Sequence, residues 1–162
     1  MQKNTIKIDS SVIPSQIEFS SFFNVAEIFI DRHIKEGRKD KVAIYTTDGI
    51  EVTYQELFEN VNKSGNLLKR LGLKKGDRIL MMVKDSPEFF YLFWGAIKAG
   101  IIPVPINTLL RSKDYAFIIQ DSACSAVVYS PEFSSEVEPA IGKFSQKLVF
   151  SLATLGKLKC FM

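Results

Sequence analysis

Short apolar runs rich in β-branched residues alternate with helical patterns along most of this chain. The strand-like runs lie at residues 42–47, 78–83, 101–106, 126–129 and 147–150. Helical spacing of apolar residues separates each of them from the next. Such alternation is typical of strands joined by crossover helices. The sequence therefore predicts an α/β fold, with a mostly parallel sheet and helices on both faces.

Capping residues predict where the helices begin and end. Helix starts are predicted at Asn24, Thr53, Ser86 and Ser112, whose side chains can accept a hydrogen bond from an end N–H. Thr53 and Glu56 also have the spacing of a capping box. The first helix should end at Gly37 and bury Val25, Ile28 and Phe29.

Three further expectations concern the strands and the lead-in. Asp48-Gly49 predicts a tight hairpin turn between residues 42–47 and 50–53. Pro103 and Pro105 lack a donor N–H, which makes residues 101–106 an edge or an irregular strand. Residues 1–20 show no regular pattern and are expected to be an irregular lead-in.

Charge divides the chain into two unequal parts. The 162 residues carry 21 basic and 18 acidic side chains, a net charge of +3. Residues 143–162 contain four lysines and no acid, so the first 142 residues hold 21 − 4 = 17 basic and 18 acidic side chains. We therefore expect a main domain at 1–142 and a basic, anomalous, truncated tail at 143–162. A nucleic-acid partner is not indicated, because the main domain carries no positive excess.

Several classes of protein and site are disfavoured. Cys124 and Cys160 are the only cysteines and His33 the only histidine, which predicts neither a disulfide framework nor a zinc site. The longest apolar run, residues 89–97, is far shorter than the roughly 20 residues of a membrane span. No apolar signal-peptide core precedes it. A cytoplasmic protein with no membrane partner is expected.

Few residues are candidates for chemistry. His33 could act as a general base, but no nucleophile is placed beside it, and a structural role is favoured. A buried inert thiol is the preferred interpretation of Cys124. Asn107 and Thr108 follow a strand, where α/β folds bind ligands, although turn and capping roles are favoured.

Two clusters also have a structural and a functional interpretation. Lys74, Lys75 and Arg78 could form an anion patch, but a solvated turn is favoured. The aromatic residues of the 86–99 helix could line an apolar pocket, but core packing is preferred, because that helix is apolar nearly all round. These residues are Phe89, Phe90, Tyr91, Phe93 and Trp94. Neither the common glycine-rich phosphate loops nor a nucleophile-elbow motif is present.

Five segments together resemble a known family. They are FNVA at 23–26, VTYQEL at 52–57, GLKKGDRILMMVKDSPEFF at 72–90, GAIKAGIIPVPINTLL at 95–110 and DYAFIIQDSACSAVVYS at 114–130. In combination they are similar to the amino-terminal part of AMP-forming acyl-CoA synthetases, and most of all to the benzoate-CoA ligase branch. The resemblance covers residues 22–142 and implies an incomplete portion of the large adenylate-forming domain.

The resemblance implies a two-step reaction for the full-length enzymes. An aryl carboxylate attacks ATP to form an acyl-adenylate, and coenzyme A then displaces AMP, with Mg²⁺ as the metal. The family's phosphate loop, adenine-binding and ribose-binding motifs and carboxy-terminal Lys have no match here, so no catalytic, cofactor-binding or metal residue is assigned. The chain is expected to be an inactive fragment that binds none of these cofactors strongly.

Alternatives remain open at this stage. The chain could be a stand-alone, non-catalytic binding or interaction module that pairs with a separate chain carrying the missing remainder. A small independent hydrolase that uses His33 is a weaker alternative. The sequence does not distinguish a true stop from a frameshift or a gene-model error at its end.

Overall fold

The structure is a computed structural model that describes residues 6–142 and the backbone of residues 148–151. The strands are β1 (Ile6–Asp9), β2 (Gln16–Phe19), β3 (Val42–Tyr45), β4 (Glu51–Thr53), β5 (Arg78–Met82), β6 (Ile102–Pro105), β7 (Ala126–Tyr129) and β8 (Leu148–Ser151). The helices are α1 (Arg32–Lys35), α2 (Tyr54–Arg70), α3 (Pro87–Ala99), α4 (Ser112–Asp121) and α5 (Ser134–Ile141). A π-helical turn, Glu27–Asp31, precedes α1, and a 3₁₀ turn, Pro131–Phe133, precedes α5.

The principal sheet contains four parallel strands in the order β6-β5-β7-β8. Side chains of β5 and β7 alternate between its two faces, as strand geometry requires. Ile79, Met81 and Val128 pack with α2 and α3 on one face. Leu80 and Val127 pack with α4 and α5 on the other. The predicted α/β fold with helices on both faces is confirmed.

Strand β6 lies at the edge of this sheet, as its prolines predicted. The N–H groups of Ile102 and Ile106 donate to the carbonyl oxygens of Asp77 and Met81 in the β5 segment, at 2.8 and 3.0 Å. Alternate residues of a strand direct their N–H groups to opposite edges. Pro103 and Pro105 therefore occupy the positions that face the open edge, where their missing donors cost no hydrogen bond and discourage further strand pairing.

Two antiparallel hairpins lie outside the parallel sheet. Strands β3 and β4 pair as predicted, with Gly49 in the turn at a φ of +85°. Strands β1 and β2 form a second hairpin, so the expected irregular lead-in is wrong for residues 6–9 and 16–19. These strands have only four residues each, and the connection of residues 10–15 carries no two-residue turn signal, which is why the pattern was missed.

The first helix begins and ends where its caps predicted. Asn24 Oδ1 accepts from the backbone N–H of Ala26 at 3.0 Å, and Gly37 follows the last turn with a φ of +73°. The predicted inward face is wrong, however, because Ala26 and Ile30 are the buried residues, whereas Phe29 is 53% exposed. A π-helical turn bonds each residue to one five positions away and so rotates the side chains out of the 3.6-residue pattern.

The other predicted caps differ in how they are used. The capping box of α2 is present, with Thr53 Oγ1 accepting from Glu56 N and the Glu56 carboxylate accepting from Thr53 N. Ser86 has the N-cap backbone conformation, but its hydroxyl caps no N–H. Ser112 is the first residue of α4 rather than its cap, and its hydroxyl and N–H both donate to Glu136.

Helices α2 and α3 cross in backbone contact at two glycines. A methyl group added at Gly95 would lie 2.8 Å from both the Gly65 nitrogen and the Val61 carbonyl oxygen. One added at Gly65 would lie 2.7 Å from the Gly95 oxygen. Leu92 on α3 packs on the sheet, while Tyr91 packs on a third cluster with α2 and β4. Helix α3 is therefore held between two apolar layers, as its composition predicted.

We predict that Gly95→Ala destabilises the domain. The new methyl group meets backbone atoms that cannot rotate away, and overpacking of this kind costs about 1–3 kcal/mol. Urea unfolding followed by circular dichroism measures the change. Gly142→Ala is the matched control, because the nearest atom to its added methyl group is 3.8 Å away. Equal stability of the two variants would contradict the proposed close packing.

Candidate functional site

The carboxyl ends of the parallel strands meet at one edge of the sheet. Lys84, Asn107 and Ser130 lie within two residues of the ends of β5, β6 and β7, respectively. In open α/β sheets, ligands bind in the crevice outside the carboxyl ends of the strands. We call Lys84, Asn107, Ser130 and Glu132 the carboxyl-edge cluster.

Ser130 joins the turns after β5 and β7. Its side chain is fully buried, its N–H donates to Met82 O at 3.0 Å, and its hydroxyl accepts from Lys84 N at 3.1 Å. The Lys84 ammonium lies 3.1 Å from the Glu132 carboxylate. A hydrogen bond from its own backbone N–H, followed by that of the Lys84 ammonium, lowers the pKa of Glu132. The two loops are therefore held together by groups that satisfy one another.

Asn107 has the turn role that was favoured for it. Its Oδ1 accepts from Leu109 N at 2.8 Å, and its carbonyl oxygen accepts from the Tyr115 hydroxyl at 3.1 Å. Burial raises the pKa of Tyr115, so that phenol stays protonated and donates at neutral pH. Helix α4 is thereby tied to the loop that follows β6.

A groove of about 670 Å³ lies beside the carboxyl-edge cluster, between the turn of the β3–β4 hairpin and the start of α3. Tyr45, Ile50 and Phe90 form an exposed apolar wall. Its polar lining includes Asp85 and Glu88 at the start of α3. The groove can thus hold an apolar group, but it contains no histidine or cysteine that could act as a nucleophile or base there.

His33 contacts Tyr54 and Arg38 rather than residues of the carboxyl-edge cluster. Its ring stacks on Tyr54 at a centroid distance of 4.0 Å, and its Nδ1 accepts from Arg38 Nε at 3.0 Å. Burial lowers the pKa of His33, and the positive charges of Arg38 and Arg32 lower it further. The structural role favoured from the sequence agrees with these contacts.

The other candidate residues have contacts that are typical of structural roles. The side chain of Cys124 is buried, and its thiol lies 3.8 Å from Ile119 O. Arg78 donates to Ser122 O, and the neighbouring Lys74 and Lys75 are exposed on a turn. Cys160 lies outside the described residues. Thr108 lies in the turn that follows β6.

The aromatic residues of α3 divide between core and groove. Phe89 and Phe93 pack against the cluster on the sheet, and Tyr91 and Trp94 belong to the cluster with α2. Phe90 is 39% exposed and faces the groove. Core packing, the preferred interpretation, is therefore confirmed for four of the five.

Sequence reasoning missed Lys84, Ser130 and Glu132 as a connected group. Lys84 and Ser130 stand directly after buried apolar runs, and that position was the available signal. Among residues 6–142, no group of three or more His, Cys, Asp or Glu side chains is arranged to hold a metal ion. In the same part of the chain, no helix has the length and apolar character needed to cross a bilayer.

Comparison with known proteins assigns the chain to a family. A family model described as AMP-binding enzyme matches residues 30–157, and the chain belongs to that family. The resemblance to AMP-forming acyl-CoA synthetases, with benzoate-CoA ligases among the relatives, is confirmed for the amino-terminal portion of those enzymes.

Two curated relatives illustrate the match. The chain is 40% identical over 118 residues to a 4-hydroxybenzoate–CoA/benzoate–CoA ligase of Rhodopseudomonas palustris, covering 73% of this chain and 22% of that protein. It is 39% identical over 136 residues to a benzoate–CoA ligase of Thauera aromatica, covering 83% and 26%, respectively. The chain thus spans about a quarter of the length of these relatives.

Solved structures agree with the sequence comparison. A benzoate CoA ligase from Burkholderia xenovorans superimposes with a TM-score of 0.74 and 30% identity, over 82% of this chain and 27% of that one. An anthranilate CoA ligase in complex with anthranoyl-AMP gives the same TM-score and identity over 81% and 25%. The described residues therefore have the fold of one portion of an adenylate-forming domain.

We predict that His33 titrates below the ordinary histidine pKa of about 6.5. Since it is the only histidine in the chain, its Cε1 proton gives one resolvable NMR titration. Arg38→Gln should raise the pKa, because it removes a nearby positive charge. Lys39→Gln is the control for the loss of an exposed charge and should leave the pKa of His33 unchanged. A wild-type pKa at or above 6.5 would refute the assignment.

We also predict that Ser130→Ala destabilises the carboxyl edge. The substitution leaves the Lys84 N–H without its acceptor, which costs about 1–3 kcal/mol. The free energy of unfolding in urea measures the effect. Ser135→Ala, an exposed serine on α5, should change stability by less than about 0.5 kcal/mol. A comparable loss in both variants would argue against the Ser130 hydrogen bond as the cause.

Proposed function

We propose that residues 1–142 form the amino-terminal part of the adenylate-forming domain of an ATP-dependent CoA ligase for an aromatic carboxylic acid. The observation that carries this proposal is the similarity to two ligases named for benzoate, over the stretch that includes β5, β6 and β7. An anthranilate CoA ligase with the same portion of fold supports the aromatic class. Residues 143–162 form the basic tail, within which β8 pairs with β7 in the same sheet.

The proposed reaction has two steps. A carboxylate oxygen of the acid attacks the α-phosphorus of ATP, an O–P bond forms, and pyrophosphate leaves. The thiolate of coenzyme A then attacks the acyl carbon, a thioester forms, and AMP leaves. Benzoate is the favoured substrate, and other aryl or short acyl acids follow it.

The residues described here do not fit an ATP or magnesium site. Their carboxylates, histidine and buried thiol form no metal-binding group, and the chain has no glycine-rich phosphate loop. The polar groups at the carboxyl edge hold one another in place, as in the Ser130–Lys84 and Lys84–Glu132 contacts. No step of the reaction is therefore assigned to a residue of this chain.

This part of the enzyme instead has a positioning role. The buried strand β5 positions the carboxyl edge of the sheet. Hydrogen bonds to Ser130 and Asn107 hold the loops that follow β5 and β6. Catalysis depends on reacting groups held in a defined geometry, and a rigid sheet edge supplies such a base. The chain by itself is inactive, because the groups that contact ATP come from other residues.

A second candidate function is non-catalytic pairing with a separate chain that carries the remainder of the domain. Its supporting observation is the exposure of Leu109 and Phe117, at 85% and 67%, near α4. Exposed apolar side chains of this size mark contact surfaces when they cluster. Co-purification with a separately expressed carboxy-terminal part of a benzoate–CoA ligase would favour this candidate. A failure of the two parts to associate would argue against it.

We predict that the chain can replace its counterpart in a working ligase. In the experiment, residues 24–142 of this chain replace the matching stretch of the benzoate–CoA ligase of Thauera aromatica. Benzoate-dependent release of pyrophosphate with ATP and coenzyme A should be retained, because the sheet edge is equivalent. The 162-residue chain alone should release none.

Two controls make this exchange interpretable. A chimera with Gly95→Leu should lose activity, because α2 and α3 can no longer approach each other. Circular dichroism verifies that the parent chimera is folded. A folded but inactive chimera, or turnover by the 162-residue chain alone, would overturn the proposal.

A further inference from the structure

The groove of about 670 Å³ beside the carboxyl-edge cluster leaves a concave apolar surface uncovered. Tyr45, Ile50 and Phe90 line it and are 73%, 51% and 39% exposed. We call these three residues the apolar wall. They come from the β3–β4 hairpin and from α3, so the fold brings them to one surface. Large apolar side chains that remain exposed together mark a contact surface.

The charges that line this groove are mostly negative. Asp48, Asp85 and Glu88 are exposed in its lining. In the part of the chain that the structure describes, no ion pair engages any of these three carboxylates. Lys84, the one cation in the lining, already pairs with Glu132. The groove therefore favours an occupant that presents cationic and apolar side chains together.

Residues 152–162, LATLGKLKCFM, have this complementary composition. The segment contains Lys157, Lys159 and no acid. Its five large apolar residues are Leu152, Leu155, Leu158, Phe161 and Met162. In an extended conformation, successive side chains point to opposite faces, so Leu158 is directed away from the two lysines that flank it. Such a segment can present a leucine to the apolar wall and its ammonium groups to the carboxylates.

Strand β8 delivers this segment to the same edge of the sheet. Its last residue, Ser151, is in register with Tyr129 of β7, which is in register with Met82 of β5. Neighbouring strands lie about 4.8 Å apart, so Ser151 is about 10 Å from Met82 and close to Lys84 in the groove lining. Residues 152–162, when extended, span up to about 36 Å. The segment is therefore long enough to reach the groove.

We propose that residues 152–162 bind in this groove of their own chain. Leu158 packs on the apolar wall, and Lys157 and Lys159 face the carboxylates of the lining. A segment tethered this closely has a high effective concentration at the groove, so weak contacts are enough to hold it there. The inference rests on the groove and on the segment, and it is independent of the proposed enzymatic function.

A nitroxide spin label at Cys160 tests the proposal in the 162-residue chain. The label reacts at this position because the other cysteine, Cys124, is only 3% exposed, and mass spectrometry verifies a single modification. The amide NMR signals of residues 45–50 and 85–90 should be lost by paramagnetic broadening. The signals of residues 121–123, which lie before β7 at the opposite edge of the sheet, should be retained. Reduction of the nitroxide should restore the lost signals.

Two substitutions test the two kinds of contact. Asp85→Lys should restore the groove signals in the labelled chain, because it replaces an attraction by a repulsion and shifts the segment out of the groove. Asp121→Lys is the matched control: it makes the same exchange at an exposed position at the end of α4 and should leave the broadening unchanged. Leu158→Ser removes the apolar contact and should also restore the signals. Circular dichroism verifies that all three variants fold.

Each outcome decides the proposal. Broadening of the groove that Asp85→Lys and Leu158→Ser relieve and Asp121→Lys retains supports it. Absence of broadening in the groove overturns it, as does an equal effect of the two lysine substitutions or no effect of Leu158→Ser. A mixture of isotope-labelled chain without nitroxide and unlabelled chain with nitroxide identifies the source of the segment. Broadening of the groove in this mixture assigns the occupant to a second copy and likewise overturns the proposal.

Discussion

Strand β5 is buried on both faces and paired along both edges, and the rest of the domain is arranged around it. Residues Ile79 to Met82 have no exposed surface, with α2 and α3 on one side and α4 and α5 on the other. Strands β6 and β7 satisfy its backbone groups in parallel register. A polar side chain anywhere in this stretch would be buried without a partner, which is why the segment is apolar on both faces.

Burial of β5 on the α2–α3 side depends on a close helix crossing. Because Gly65 and Gly95 lack side chains, the two helix backbones come into contact, and α3 can reach both the sheet and the cluster beneath β4. The Lys98 ammonium then pairs with Asp31 and lies over the Phe58 ring, which connects the π-helical turn to α3. The first helix is therefore positioned by the same crossing that supports the sheet.

The carboxyl edge of the parallel sheet is held together by contacts between the loops that follow β5 and β7. Its polar groups are engaged with each other, as in the buried Ser130 hydroxyl that accepts from Lys84 N. A turn whose donors and acceptors are already satisfied is rigid, and a rigid edge can position groups supplied by other residues.

The sequence by itself determined the α/β class, the edge position of the proline-containing strand and the capping box of α2. Each of these features depends on a local signal. The period of the apolar residues indicates the class, the missing proline N–H indicates the edge strand, and the three-residue spacing of Thr and Glu indicates the capping box. The family could also be recognised from five short segments. Only the tertiary structure decided that Ala26 and Ile30 face the core, that Ser112 bonds to Glu136, and that Ser130 joins two loops. It also decided that residues 6–9 and 16–19 pair, since their partners and their exposure depend on contacts that no local pattern encodes.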